Sequence, residues 1–171
     1  MAPPSQRLLV FAPVPESGNA PLDSLGASTE ETEIEVMWEP TASANGETLR
    51  RAFGDRTLAM QTGATLGDRL CMAFSERFFF QRTEKIIAIG MDDPLLDRAT
   101  IDHAFSLLDS CDWVLGPSSD GGCYLIGCSG AAFESSIFMD VEWGTDRVLE
   151  STLQMIRRWE STLAMLPRQL K

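Results

Sequence analysis

Short apolar runs alternate with helix-length amphipathic segments through most of this chain. Residues 7–11, 86–89 and 113–115 are apolar almost throughout, which predicts strands of a parallel sheet that is covered on both faces. Residues 33–38 alternate between apolar and polar side chains, so we expect a strand with one more polar face. Further short strands are predicted over residues 57–61, 123–127 and 163–166.

Apolar residues spaced by three and four predict the helices. Thr65 is an expected N-cap, with Asp68 three residues on, for an amphipathic helix that reaches Phe78. Shorter helices are predicted over residues 48–53 and 99–108, a helical turn over 133–138, and a last helix capped by Thr145. Residues 12–31 are rich in Pro, Gly, Ser and acid, and we expect a long loop with at most one helical turn.

The order of these elements predicts the class of the fold. Strand, loop, helix, strand and loop follow one another from residue 85 to 127, as in a parallel α/β unit. We therefore expect a Rossmann-like three-layer sandwich, with a mostly parallel central sheet and helices on both faces. A length of 171 residues favours one domain over residues 1–171.

The net charge of the chain limits the classes of molecule that it is expected to bind. The chain has 25 acidic residues against 14 Lys plus Arg, a formal net charge of -11. Nucleic acids and anionic membrane surfaces both require clustered cations, so neither is expected as a partner. The apolar run over residues 8–12 is too short for a signal-peptide core or a membrane span.

The four cysteines and the single histidine offer no zinc spacing. Cys71, Cys111, Cys123 and Cys128 include no CxxC pair, and His103 is expected to be solvated on the polar side of its helix. We therefore expect reduced thiols in a cytoplasmic protein.

The loop after the strand at residues 86–89 carries two adjacent carboxylates. Asp92 and Asp93 lie between Gly90, which can take a positive φ, and Pro94, which cannot continue a ladder. Carboxylates in such a turn can hold a hard divalent cation, since Mg²⁺ takes one or two of them together with substrate phosphates. A side-chain cap on the turn or on the following helix explains the same residues, and both interpretations stay open.

A second acidic loop follows the strand at residues 113–115. Asp120 precedes Gly121 and Gly122, where the backbone can approach a ligand closely. The competing interpretation is a plain turn in which Asp120 bonds its own backbone two residues on. Because the carboxyl ends of parallel strands share one edge, we expect both acidic loops to open onto one crevice.

Ordered motifs from Gln61 to Leu149 resemble a bacterial family of glycosyltransferase-like proteins, known as the DUF2064 or selenodomain-associated transferase 1 family. Its glutamine with an LGxR stretch resembles Gln61 with residues 66–70, and its IGxDxP motif resembles residues 89–94. Its VLGPxxDGGYYLIG motif is similar to residues 114–127, with Cys123 in place of one tyrosine. Its WST element resembles residues 143–145.

The resemblance implies a GT-A-type nucleotide-diphospho-sugar transferase fold that binds a nucleotide sugar, or another small phosphorylated ligand, with Mg²⁺ or Mn²⁺. It implies catalytic and metal-binding roles for Asp92 and Asp120. The residues that it implies for cofactor binding are Gly90, Asp93, Gly121 and Gly122, and those for substrate binding are Gln61, Arg69, Trp143 and Thr145.

The chain departs from the family near its N-terminus. Members carry a Lys-Thr-Arg loop after the first strand, whereas no Lys or Arg occurs here between Leu8 and Leu49. Two hypotheses follow: a metal-dependent transferase that uses a nucleotide-activated donor, or a non-catalytic binding or assembly module of the same fold. We expect Phe78, Phe79 and Phe80 to form either part of the core or a subunit contact. The second alternative implies a homo-oligomer.

Overall fold

A computed structural model of the chain describes residues 2–15, 22–91 and 96–170. Seven strands form one sheet: β1 Gln6–Ala12, β2 Thr32–Trp38, β3 Thr57–Met60, β4 Lys85–Gly90, β5 Trp113–Pro117, β6 Cys123–Ser129 and β7 Leu163–Met165. Every strand predicted from the apolar runs is present. Within residues 12–31, the described part contains a 3₁₀ turn at Asp23–Leu25, as expected for a long loop.

The sheet has the order β3-β2-β1-β4-β6-β5-β7. β1 pairs in parallel with β2 and β4, β2 with β3, and β5 with β7. β6 is antiparallel to both of its neighbours, β4 and β5. The sheet is therefore mostly parallel, as predicted, but the two strands that end in acidic loops are separated by β6.

Five α-helices connect the strands: α1 Gly46–Phe53, α2 Leu66–Phe80, α3 Arg98–Leu107, α4 Ser135–Met139 and α5 Val148–Arg158. The predicted cap of α2 is confirmed, because Thr65 and Asp68 form a reciprocal capping box. The predicted cap of α5 is wrong. Thr145 Oγ1 accepts from Arg147 N at 3.1 Å within a turn, and the helix begins at Val148 without a side-chain cap.

Helices cover both faces of the sheet. On one face, α1 and α3 pack through Phe53, Ile101 and Phe105 against strand residues such as Leu8 and Val36. On the other, α2, α4 and α5 bury residues that include Phe74, Phe138 and Ile156 against Leu9 and Trp113. This confirms the three-layer α/β sandwich. No helix in the described ranges has the length and hydropathy that crossing a membrane requires.

Glu35, on the face of β2 that was expected to be more polar, is buried. Glu35 lies under α2, where its carboxylate meets the guanidinium of Arg77. The alternation of the strand gave no sign of this, because the cation comes from a helix that is distant in sequence. Burial of the carboxylate is tolerated because both of its oxygens are paired.

Candidate functional site

The strands β4 and β5, which precede the two acidic loops, end at the same edge of the sheet. β4 and β5 point the same way, since both are antiparallel to β6, so the loops that follow them open at one edge. The start of β6 at Cys123 lies between the two loops. Asp92 and Asp93 lie outside the described residues. Their placement in this crevice therefore stays a prediction.

Between α2 and the ends of β1 and β4 lies a cleft of about 180 Å³. Gly90 and Trp143, two of the predicted site residues, line it. The other lining residues were not predicted and are mainly apolar: Phe11, Leu66, Leu70, Ala88, Ile89, Cys123, Tyr124, Leu125 and Ile126. None of these lining residues is cationic. The cleft is thus suited to the flat or apolar part of a ligand rather than to a phosphate.

Gly90 forms one end of this cleft. It pairs with Phe11 of β1 as the last residue of β4 and does not use the positive φ that glycine permits. A Cβ atom at this position would meet no atom within 4 Å. The strand end is therefore open toward the cleft without any special backbone conformation.

Trp143 is held against the first turn of α2. Its indole Nε1 donates to the Phe138 carbonyl at 2.7 Å. Gly67 makes this contact possible, because a Cβ atom there would lie 2.7 Å from both the Phe138 carbonyl oxygen and Trp143 Nε1. The tryptophan is half-buried, with a fixed ring at the cleft, and therefore has a packing role, while its acceptor role stays a prediction. Thr145, its predicted neighbour in the site, is not among the described residues lining the cleft.

Gln61 and Arg69 are brought together beside the cleft. Gln61 donates its amide to the Met37 carbonyl at 2.7 Å and accepts from Arg69 Nη1 at 3.2 Å. Arg69 also donates to Glu39 at 3.1 Å and to the Gly63 carbonyl at 3.0 Å. These bonds fix the start of α2 relative to the end of β2. The guanidinium is only partly exposed and already has three protein acceptors, so a ligand phosphate would have to compete for it.

The loop at Asp120 has the geometry of a plain turn, in which Asp120 bonds the backbone two residues on. Asp120 Oδ1 accepts from Gly122 N at 3.0 Å, and Ser118 N donates to the Gly122 carbonyl at 2.9 Å. Gly121 has φ +85°, and a Cβ atom there would collide with the Asp146 carbonyl. The space beside Gly121 is therefore occupied by the segment before α5 and is not open to a ligand.

Cys123 links this loop to the cleft. Burial, and secondly the negative charge of Asp120, raise the pKa of Cys123 from 9.0 to about 11. Burial also raises the pKa of Cys128, well above its ordinary value. Both thiols are thus protonated at neutral pH, as expected for structural cysteines. The described residues contain no group of three or more His, Cys, Asp or Glu that could hold a metal ion.

Comparison with solved structures identifies the fold. A protein from Desulfovibrio desulfuricans G20, provisionally described as a nucleotide-diphospho-sugar transferase, superposes with a TM-score of 0.84 at 22% identity, covering 98% of this chain and 82% of that one. A cytidylyltransferase from Leptospira borgpetersenii serovar Hardjo-bovis (strain JB197) gives 0.64 at 11% identity, covering 96% and 76%. The 4-diphosphocytidyl-2C-methyl-D-erythritol synthase from Anaerococcus prevotii DSM 20548 gives 0.60 at 9% identity, covering 95% and 87%.

These likenesses show the fold of nucleotide-diphospho-sugar transferases and cytidylyltransferases, as the sequence resemblance implied. No curated protein matches the chain. The sequence profile of one family does match, over residues 24–145, which is most of the chain. The chain therefore belongs to the DUF2064 family, described as an uncharacterized protein conserved in bacteria.

Proposed function

We propose that this protein transfers a sugar or a related group from a nucleotide-activated donor, with the help of a divalent cation, and that residues 1–171 act as one GT-A-like domain. The observation that carries the proposal is the cleft at the carboxyl edge, where β4 ends at Gly90, two residues before Asp92. In parallel α/β sheets, ligands bind beyond the carboxyl ends of the strands. The fold shared with nucleotide-using proteins supports the same place.

In this proposal, Asp92 is the principal ligand of Mg²⁺ or Mn²⁺. Carboxylate oxygens are the donors that these hard cations prefer, and a site with one or two protein carboxylates is completed by substrate phosphates and water. When bound, the cation would neutralise charge on the leaving diphosphate. Asp93 has a lesser role beside it.

Asp120 is the second carboxylate of the proposed site. Its exposed side chain stands at the same edge, after β5, and its Oδ1 is held by the Gly122 amide. From there it either completes the cation site or takes the proton of the acceptor group. Trp143 offers a fixed aromatic surface to the acceptor, whereas Gln61 and Arg69 position the start of α2 at the cleft wall.

A second candidate function is a non-catalytic binding module. Two observations favour it: the absence of any Lys or Arg between Leu8 and Leu49, and the absence of a cation among the described residues that line the cleft. Without a basic loop, a diphosphate loses its usual charge-assisted hydrogen bonds. Such a module would bind an uncharged or weakly charged ligand without a cation.

Calorimetric titration separates the two functions. Nucleoside diphosphates and nucleotide sugars are titrated with and without Mg²⁺ or Mn²⁺, and we expect binding that requires the cation. Asp92→Asn should abolish the cation requirement or the binding, while Asp93→Asn, one residue away with the same charge change, should weaken binding much less. Cation-independent binding of neutral ligands would favour the module, and no heat from any ligand in a folded sample would contradict the transferase.

A further inference from the structure

The largest exposed aromatic surface among the described residues lies at the end of the sheet opposite the cleft. It consists of Phe78, Phe79, Phe80 and Phe133, which we call the phenylalanine patch. Phe79 is 70% exposed and Phe80 is 83% exposed, and they are the last two residues of α2. Two adjacent phenylalanines with this exposure are costly in water, and such a patch marks an interaction surface.

Three of the four rings in the patch, those of Phe78, Phe79 and Phe133, are anchored because they continue into the core. Phe79 contacts Phe133 with ring centroids 6.1 Å apart, and Phe133 contacts Phe78 at 5.4 Å. Phe78 in turn contacts the fully buried Phe74 at 6.0 Å. Anchored aromatic side chains lose little conformational entropy on binding, and this is why they dominate the energetics of interfaces.

A groove of about 440 Å³ lies directly beside the exposed rings. The residues that line it come from the end of α2, the turn before β4 and the end of β6: Phe78, Phe79, Thr83, Glu84, Lys85, Ser129, Gly130 and Ala131. Gly130 keeps the groove open on its Phe78 side, because a Cβ atom there would lie 3.0 Å from the Phe78 ring. A projecting aromatic side chain and a recess that is lined by both apolar and charged residues thus share one face.

Opposite charges border this face. Arg82 and Glu84 are both exposed, two residues apart on the turn between α2 and β4, and neither has an ion pair within the described part of the chain. Arg82 is held in a left-handed conformation with φ 53°. Because the two charges are of opposite sign, the same pair on a second copy is complementary to it.

We propose that the phenylalanine patch is the interface of a two-fold symmetric homodimer. A two-fold contact requires the projection and its recess to lie on the same face, since residue i meets residue j and residue j meets residue i. Phe80 of one copy enters the Phe78–Gly130 groove of the other, and Arg82 of each copy faces Glu84 of its partner. The dimer leaves the cleft at the opposite edge open, so it does not depend on the proposed transferase function.

Sedimentation equilibrium at physiological salt, over a wide range of protein concentration, tests this interface. The unaltered chain should dimerise, and Phe80→Asp should raise the dimer dissociation constant at least tenfold. Leu170→Asp is the matched control, because Leu170 is also 83% exposed but lies beyond β7, after the Gln169 bridge to Ser118 at the cleft edge. It should leave the dissociation constant unchanged. Retained secondary structure by circular dichroism confirms that each variant is folded.

A charge exchange makes the test independent of the phenylalanines. Arg82→Glu alone and Glu84→Arg alone should each weaken the homodimer, because like charges then face each other. An equimolar mixture of these two variants should recover dimers, since every facing pair is again of opposite sign. A monomer at all soluble concentrations, a dimer insensitive to Phe80→Asp, or a mixture without recovery would each overturn the proposal.

Discussion

Arg77 and Glu35 form a bidentate ion pair between α2 and β2. Arg77 Nε lies 2.8 Å from Glu35 Oε2, and Arg77 Nη2 lies 2.7 Å from Glu35 Oε1, with the guanidinium 1% exposed. Arg7 of β1 adds a third contact, 3.5 Å from Glu35 Oε2. A pair this deeply buried is held by its mutual geometry, and either charge left alone would be strongly unfavourable.

Removing one partner should therefore destabilise the fold. Arg77→Met is expected to lower the free energy of unfolding by about 3–5 kcal/mol, because it leaves Glu35 buried beside Arg7 alone. Urea unfolding followed by circular dichroism measures this loss. Arg147→Met is the control, since Arg147 makes exposed pairs with Glu142 and Glu150 and should cost at most about 1 kcal/mol. Equal losses in the two variants would show that burial of the pair is unimportant.

Gly67 controls how closely α2 approaches Trp143. Gly67→Ala should lower the free energy of unfolding by about 1–3 kcal/mol, because its methyl group would displace the indole from the Phe138 carbonyl. Gly46→Ala, in the first turn of α1 with open space around it, should be neutral or slightly stabilising. Thermal melting of both variants checks the difference. A neutral Gly67→Ala would mean that this contact is loose in solution.

Two substitutions of Asp120 distinguish the role of its charge from its role in stabilising the turn. Asp120→Asn keeps a side-chain oxygen for the Gly122 amide and should leave stability within about 0.5 kcal/mol, whereas Asp120→Ala loses that bond and should cost about 1 kcal/mol. If Asp120 serves the proposed cation or proton role, both variants lose cation-dependent binding or transfer. If the turn is its whole role, Asp120→Asn retains full function, as calorimetry and melting together would reveal.

The Cys123 thiol should react slowly with alkylating reagents. Since burial and the Asp120 carboxylate raise its pKa to about 11 from 9.0, its thiolate fraction at pH 8.5 is reduced by roughly tens of fold relative to an ordinary cysteine. Peptide mass spectrometry after iodoacetamide treatment resolves this cysteine from the others. Asp120→Asn should speed its alkylation, because the second cause of the shift is removed. An unchanged rate would show that burial alone governs the thiol.

The same shift makes stability depend on pH. In the folded protein the proton on Cys123 is held up to a pKa of about 11, whereas the unfolded chain releases it near 9.0. The stabilisation of the fold that comes from the Cys123 thiol is therefore complete below pH 9 and is lost as the pH rises between these two pKa values. Cys123→Ser should flatten the loss of unfolding free energy between pH 9 and 11, as measured by urea titration at several pH values. Identical slopes for the two proteins would contradict the assignment.

The sequence by itself determined the elements and the class of the fold. Apolar runs predicted β1, β4 and β5 because strands buried on both faces need uninterrupted apolar side chains, whereas β2 was predicted from alternation. Thr65 with Asp68 predicted the start of α2 because the capping box is local. The order of the elements then favoured the three-layer sandwich. The motifs in the sequence also indicated the family, since residues 61–145 carry them in order.

Only the tertiary structure decided which predicted residues meet. The pairing of β6 with β4, the Arg77–Glu35 pair and the Gly67–Trp143 contact all join residues that are distant in sequence, where no local pattern operates. Gln61 and Arg69, predicted as ligand residues, meet each other, and the Gly121 turn faces Asp146. Residue type limits what a position can do, but packing between distant segments determines which partner each polar group finds.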